Sequence, residues 1–149
     1  MKRLAYLLLL LVPLSGCAMF GDTKPILKEP PSLCKVTDVK TGVVTVNQLC
    51  AAAAESLAQA NALLASIDRT VLGHLTNKIW TLDQARPVYV QTGKYGEDVD
   101  KAQAAFNALD FSRAFDQAEV VKRLLTELHK QVAAHARKAE IIVNEWLMA

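Results

Sequence analysis

The chain has 149 residues, 52% of them apolar and 21% charged, which is enough for one domain with a real core. Its formal charge of +2 comes from Lys2 and Arg3, because residues 17–149 carry 15 basic and 15 acidic side chains. That neutrality gives no electrostatic case for nucleic acid or for a polybasic membrane contact.

Lys2-Arg3 stand before an unbroken apolar run, Leu4 to Val12, and small residues then precede a cysteine. This is the pattern of an export signal. The run is too short to span a bilayer, since about 20 residues are needed for about 30 Å of hydrocarbon. Leu14-Ser15-Gly16-Cys17 resembles the lipobox of bacterial lipoprotein precursors. The resemblance covers residues 1–17. It implies a diacylglyceryl group on the Cys17 sulfur, cleavage between Gly16 and Cys17, and acylation of the new amino group. That covalent lipid is the one attached group the sequence indicates. Ala18, in place of Asp, implies retention at the outer membrane, on its periplasmic face. Two or more acyl chains give durable attachment, whereas one is marginal. Residues 1–16 thus read as a signal peptide, and 149 less 16 leaves a mature chain of 133 residues.

Cys17 to Leu33 contains Gly21, Pro25, Pro30 and Pro31 without apolar periodicity, and reads as an extended tether. Its reach is at most about 55 Å. Residues 34–149 form the predicted helical-bundle domain. Cys34 to Val46 is rich in Val and Thr around Gly42, which predicts a turn or a short hairpin. In the oxidising compartment implied by the signal, Cys34 and Cys50 favour one disulfide. The other reading is a metal pair, for which further Cys or His ligands would be needed nearby.

Helical periodicity begins at Thr45-Val46-Asn47-Gln48, which has capping-box spacing. Val46, Cys50, Ala53, Leu57, Ala60, Leu64, Ile67 and Val71 mark one face, and Gly73 with Thr76-Asn77 marks the stop. Thr81-Leu82-Asp83-Gln84 repeats the box and starts a second helix. Its apolar side is Val88, Tyr95, Val99, Ala102, Phe106 and Leu109. Pro87 predicts a bend, and Gly93-Lys94-Tyr95-Gly96 predicts a kink or short break. A third helix starts near Asp110 or Ser112 and runs to about Leu147. Its seam is Ala118, Val121, Leu125, Leu128, Val132, His135, Ala139, Ile142 and Trp146. Glu119 and Arg123 form an i,i+4 pair on its flank. The fold class is all-α: an antiparallel three-helix bundle, or four helices if the second breaks at Gly93–Gly96, with an N-terminal disulfide-clasped segment.

No catalytic pattern stands out. His129 and His135 are six apart and do not share a helix face as i,i+4 ligands do, and no His-Glu-x-x-His motif exists. His135 is on the third seam and His74 at the end of the first helix, where the two could meet, and they read as core-edge histidines rather than metal ligands. Glu97, Asp98 and Asp100 lack the frame of a calcium loop and read as a charge complement to a helix start. No site for metal, nucleic acid or a small-molecule ligand is indicated.

The up-down-up path puts Phe106, Phe111 and Phe115 at the anchored end, and Trp80 at the far end. Residues 139–148, with Ile142 and Trp146, overhang the first helix there. Trp80, Ile142 and Trp146 are therefore the predicted partner patch, for an envelope protein or a second copy; burial under the 75–80 connection is the competing expectation. The leading reading is a non-enzymatic, lipid-anchored periplasmic protein that acts by protein–protein interaction. A phage- or prophage-type envelope lipoprotein, working in superinfection exclusion or lysis, is the second. It is suggested by a loose likeness in size and helical, disulfide-clasped body, without the proline-rich body of the short outer-membrane spanins. An envelope enzyme is the third.

Overall fold

A short hairpin followed by three helices makes up the computed structural model, which describes residues 25–148 and side chains through His135. The hairpin is β1 (Lys35–Thr37) and β2 (Val44–Val46), antiparallel, with Val36 opposite Thr45. The helices are α1 (Gln48–Thr76), α2 (Leu82–Asn107) and α3 (Phe111–Met148). Cys17 and the signal lie outside the described residues.

The hairpin turns where Gly42 adopts a positive φ of 68°, a conformation that glycine tolerates best. Asp38 accepts the amides of Lys40 at 2.8 Å and Thr41 at 3.0 Å. These bonds to the charged form hold its carboxyl below the usual carboxylate range. At the foot, Cys34 and Cys50 form a disulfide with Cα atoms 5.4 Å apart, and both residues are fully buried. The Asn47 amide donates to the Cys34 carbonyl at 2.8 Å.

Helix α1 begins two residues later than the Thr45 box predicts. Asn47 is the cap, its side chain accepting the Cys50 amide at 3.1 Å. Thr45 is committed to β2, where its hydroxyl donates to the Val36 carbonyl. Helix α2 does begin at the predicted capping box. The Gln84 amide donates to the Thr81 hydroxyl, and the Thr81 amide donates to Gln84 Oε1 at 2.9 Å. The expected break at Gly93–Gly96 is absent, and α2 is continuous from Leu82 to Asn107. Both glycines face open space, and buried Thr92 and Val99 on either side hold the helix to the bundle. Packing thus outweighs a propensity loss of about 1 kcal/mol per glycine. With no break, Glu97, Asp98 and Asp100 lie mid-helix, so the helix-start role expected of them does not apply. Asp98 instead pairs with Lys101 at 2.6 Å.

The core runs along the faces that periodicity marks. Ala53, Leu57, Ala60, Ile67 and Val71 are buried from α1, Val99, Ala102 and Phe106 from α2, and Ala118, Val121, Leu125, Leu128 and Val132 from α3. Leu63 takes the buried place expected of Leu64, which is only partly covered. Leu109 is 59% exposed, and His135 is exposed despite its seam position.

Helices α1 and α3 run parallel, with α2 antiparallel to both. The Ser56 hydroxyl donates to Glu119 Oε1 at 2.6 Å, and Ser66 Oγ lies 3.3 Å from His129 Nε2. Both pairs are separated by 63 residues, so the offset is constant along the interface. Glu119 is held on α3 by Lys122, not by the expected Arg123, which acts on it only through its charge. At the α2–α3 turn, the Phe106 and Phe111 rings meet with centroids 5.4 Å apart, at the hairpin end as predicted. Phe115 packs there too, close to Pro25 and Ala52.

Residues 25–33, which read as tether, lie on the bundle. The Ile26 and Leu27 amides donate to the two carboxylate oxygens of Glu55 at 2.6 and 2.9 Å, and Leu27 packs against the core. The sequence signals only irregular backbone here, since one acidic residue mid-helix does not announce a backbone clamp.

Replacing both Cys34 and Cys50 with Ala removes the crosslink and lowers unfolding free energy by about 3 kcal/mol in urea titrations. At the ends of α1 and α2, Lys78 and Leu109 hold positive φ of 57° and 64° in Schellman motifs closed by Ile79 N–H to His74 O and Asp110 N–H to Ala105 O. A side chain in that conformation costs about 1 kcal/mol, so Lys78→Gly and Leu109→Gly should each raise the urea midpoint by that equivalent.

Candidate functional site

The end of the bundle opposite the hairpin is organised by Trp80. The sequence places this residue just before the Thr81 cap, at the turn from α1 into α2. The backbone bonds that close α1 fix it, since the Ile79 and Trp80 amides both donate to the His74 carbonyl at 2.9 and 3.2 Å. The indole is half-buried against the core. His74 packs on one side with ring centroids 5.2 Å apart, and His135 meets it edge-on at 6.5 Å. The three residues thus converge from α1, the turn and α3. His74 Nε2 is buried and has no hydrogen-bond partner among the described residues. His135 Nδ1 lies 3.1 Å from the Gln131 carbonyl one turn back.

Beside this cluster, between the first half of α2 and α3, runs an open groove of about 400 Å³. Trp80, Pro87, Val88, Leu128 and Val132 give it an apolar floor, and Gln84, Gln91, Gln131 and His135 a polar rim. The lining is adapted to amide and apolar contact. It carries one titratable group, His135, and no nucleophile.

Exposed apolar side chains surround the same end. Leu82 is 73% and Val90 70% exposed, and Leu72, Ile79 and Tyr89 are also open. At the offset of 63, Thr76 at the end of α1 is level with Ala139 of α3. Helix α3 continues nine residues further to Met148, about 14 Å at 1.5 Å per residue. The backbone therefore reproduces the predicted overhang. Of the predicted patch, Trp80 is placed as described, whereas the side chains of Ile142 and Trp146 lie outside those described.

The histidines do not assemble into one centre. His74 and His135 share Trp80, but His129 lies apart against Ser66. Among the described residues no three His, Cys, Asp or Glu side chains converge as metal ligands would, and no helix is long and apolar enough to cross a membrane. Sequence reasoning missed the polar seam of Ser56, Glu119 and Lys122. Its available signal was a serine on the apolar face of α1, between Ala53 and Ala60.

No protein-family model matches the chain, and comparison with curated proteins and with solved structures finds no match.

The interhelical polar pairs set the pH response. Burial pushes the His129 imidazole below its ordinary value of 6.5. The unfolded chain then binds the proton first as pH falls, so this contribution is complete above about pH 6.5 and declines below it. Burial pushes the Glu119 carboxyl up, but hydrogen bonds from Lys122 and Ser56, with the Lys122 and Arg123 charges, outweigh it and hold it below its ordinary 4.5. Its contribution is present above that value and is lost as pH falls through the folded pKa. Thermal melting temperature should therefore fall in two stages below neutrality. His129→Gln should flatten the stage that begins below about pH 6.5, and Glu119→Gln should shrink the more acidic one, to which Asp38 also contributes; unchanged profiles would refute the assignment.

Proposed function

We propose that this is a lipid-anchored cell-envelope protein, non-enzymatic, attached through Cys17 to the periplasmic face of the outer membrane and acting by binding another protein. The lipobox resemblance of Leu14-Ser15-Gly16-Cys17 supports the location. The buried disulfide is consistent with an oxidising compartment. The observation that carries the binding role is the continuation of α3 beyond α1. That stretch has the sequence Ala139-Glu140-Ile141-Ile142-Val143-Asn144-Glu145-Trp146-Leu147-Met148, six of whose ten residues are large and apolar. Exposed Leu72, Ile79 and Leu82 stand at the same end as Trp80, so apolar residues of the sequence and of the described surface are concentrated there. Apolar surface concentrated in this way and rimmed by polar residues is characteristic of protein interaction sites, and tryptophan is enriched at their energetic centres.

The partner is an envelope protein or a second copy of the chain. Photo-crosslinking in intact cells of the native host tests this, with probes at Ile142 and at exposed Arg113 near the hairpin end. A discrete adduct from position 142 alone is the expected result, and its mass identifies the partner. Absence of an adduct from a correctly lipidated protein overturns the distal interaction site.

A further inference from the structure

Seven of the fifteen exposed large apolar side chains among the described residues fall within residues 26–49, at the end opposite Trp80. Four belong to the hairpin: Val36, Val43 and Val44, each a little over half exposed, and Val39 at the tip, 98% exposed. All three residues of β1 are exposed, as are two of the three in β2, and Val46 alone among them packs against the core. A two-stranded hairpin is marginal in water on its own. This one is fixed at its foot by the Cys34–Cys50 disulfide and the Asn47 amide on the Cys34 carbonyl. The fold thus spends a covalent clasp on presenting valines that it does not use in its core.

Charge and chain length indicate what those valines meet. Lys35 and Lys40 flank them. Lys35 is held only by an exposed pair with Glu29 at 3.7 Å, which a stronger anion can replace. The Asp38 carboxylate is already occupied by the turn amides. Pro25 stands eight residues after Cys17, a distance of at most about 29 Å when fully extended. From there the chain passes Glu55 and reaches the hairpin foot at the start of α1. A lipid on Cys17 therefore keeps this end of the bundle close to a bilayer.

The geometry points to the β1–β2 hairpin as a second, interfacial membrane contact: Val36, Val39, Val43 and Val44 enter the headgroup boundary of an anionic bilayer, while Lys35 and Lys40 meet lipid phosphates. Interfacial binding of this kind draws on apolar burial and attraction to anionic lipid together. Each lysine at such a surface strengthens binding about fivefold. The inference rests on the Cys17 anchor for proximity. Its chemistry is the hairpin's own.

The test uses the whole chain, processed in a bacterial host and reconstituted into vesicles of equal parts phosphatidylethanolamine and phosphatidylglycerol. An NBD fluorophore is placed on Val39→Cys, or on Leu124→Cys in exposed α3 as a control. Mass spectrometry shows whether Cys17 carries lipid. The expected result is blue-shifted emission at position 39 that brominated lipid quenches, with neither effect at position 124. Lys40→Glu, or vesicles of phosphatidylcholine alone, should return the position 39 emission towards its value in water. Protein that is lipidated and floats with the vesicles, yet has water-like emission at position 39, overturns the hairpin contact and leaves the anchor standing. Protein without lipid on Cys17 overturns the anchor reading, and quenching at position 39 would then support the hairpin alone. A photo-crosslink from position 39 to a protein in cells, without lipid quenching, would assign the hairpin to strand pairing and refute membrane contact. Circular dichroism checks the fold, which the nearly full exposure of Val39 should leave intact.

Discussion

The fixed offset between α1 and α3 governs the arrangement of the molecule. Buried alanines (Ala53 and Ala60 on one helix, Ala114 and Ala118 on the other) offer small side chains along this interface. At these positions alone a slip of one turn meets little resistance, and the larger Leu57, Ile67, Val71, Val121, Leu125, Leu128 and Val132 supply the shape that opposes it. The polar pairs also supply what the alanines lack. Ser56 with Glu119 and Ser66 with His129 hold the same separation, nearly three turns apart on each helix. A slip would strand the buried Ser56 hydroxyl without its acceptor, at about 1–3 kcal/mol for an unsatisfied buried group. Register here is thus reinforced by polar pairs within an apolar interface.

That register positions both ends. It sets the N-terminus of α1, and with it the disulfide and hairpin, near the Phe106–Phe111 turn. It also brings His135 beside Trp80 and leaves the last nine residues of α3 past the end of α1. Helix α2 fills the groove beside the pair. Its own contribution is modest in apolar bulk: Ala85, Thr92, Val99, Ala102 and Phe106 are the buried residues. This explains why its first half leaves a groove on α3, and why Leu82 and Val90 can face outward without loss to the core.

The three-helix fold was legible because it rests on apolar periodicity, which survives without knowledge of neighbours. The Thr81 box and the Asp110 start of α3 were legible for the same reason: capping is local chemistry, and Asp110 Oδ1 does accept the Arg113 amide. What escaped depended on partners distant in sequence. Thr45 has the right spacing for a cap, but the ladder with Val36 claims it first. Gly93 and Gly96 weaken a helix in isolation, and nothing local reveals that Thr92 and Val99 anchor it. Leu109 follows the apolar period beyond the helix that would have buried it, and its left-handed backbone turns it out of the core. His135 continues the α3 seam, yet at this end of the bundle it lies exposed and the Trp80 ring of the α1–α2 turn meets it edge-on. In the distal site, the placing of His74 and Trp80 at one end was readable from the up-down-up path. The Glu55 clamp was not, since it joins a helix to irregular backbone with no period of its own.

Read with the proposed anchor, the two apolar ends carry different chemistry and suit different occupants. The hairpin end pairs valines with lysines on a small, rigid projection, a composition suited to a charged and laterally fluid surface. The Trp80 end pairs an indole and leucines with glutamine amides, around a groove of defined shape. Glutamine offers both donors and acceptors, but no net charge to attract lipid phosphate. Such a rim offers directional hydrogen bonds, the kind of contact that the proposed protein partner would use. Helices α1 and α3 separate the two ends by about 44 Å, the length of the 29 residues of α1. If the hairpin end sits at the bilayer, the same rigid pair that fixes the register holds the Trp80 end clear of it.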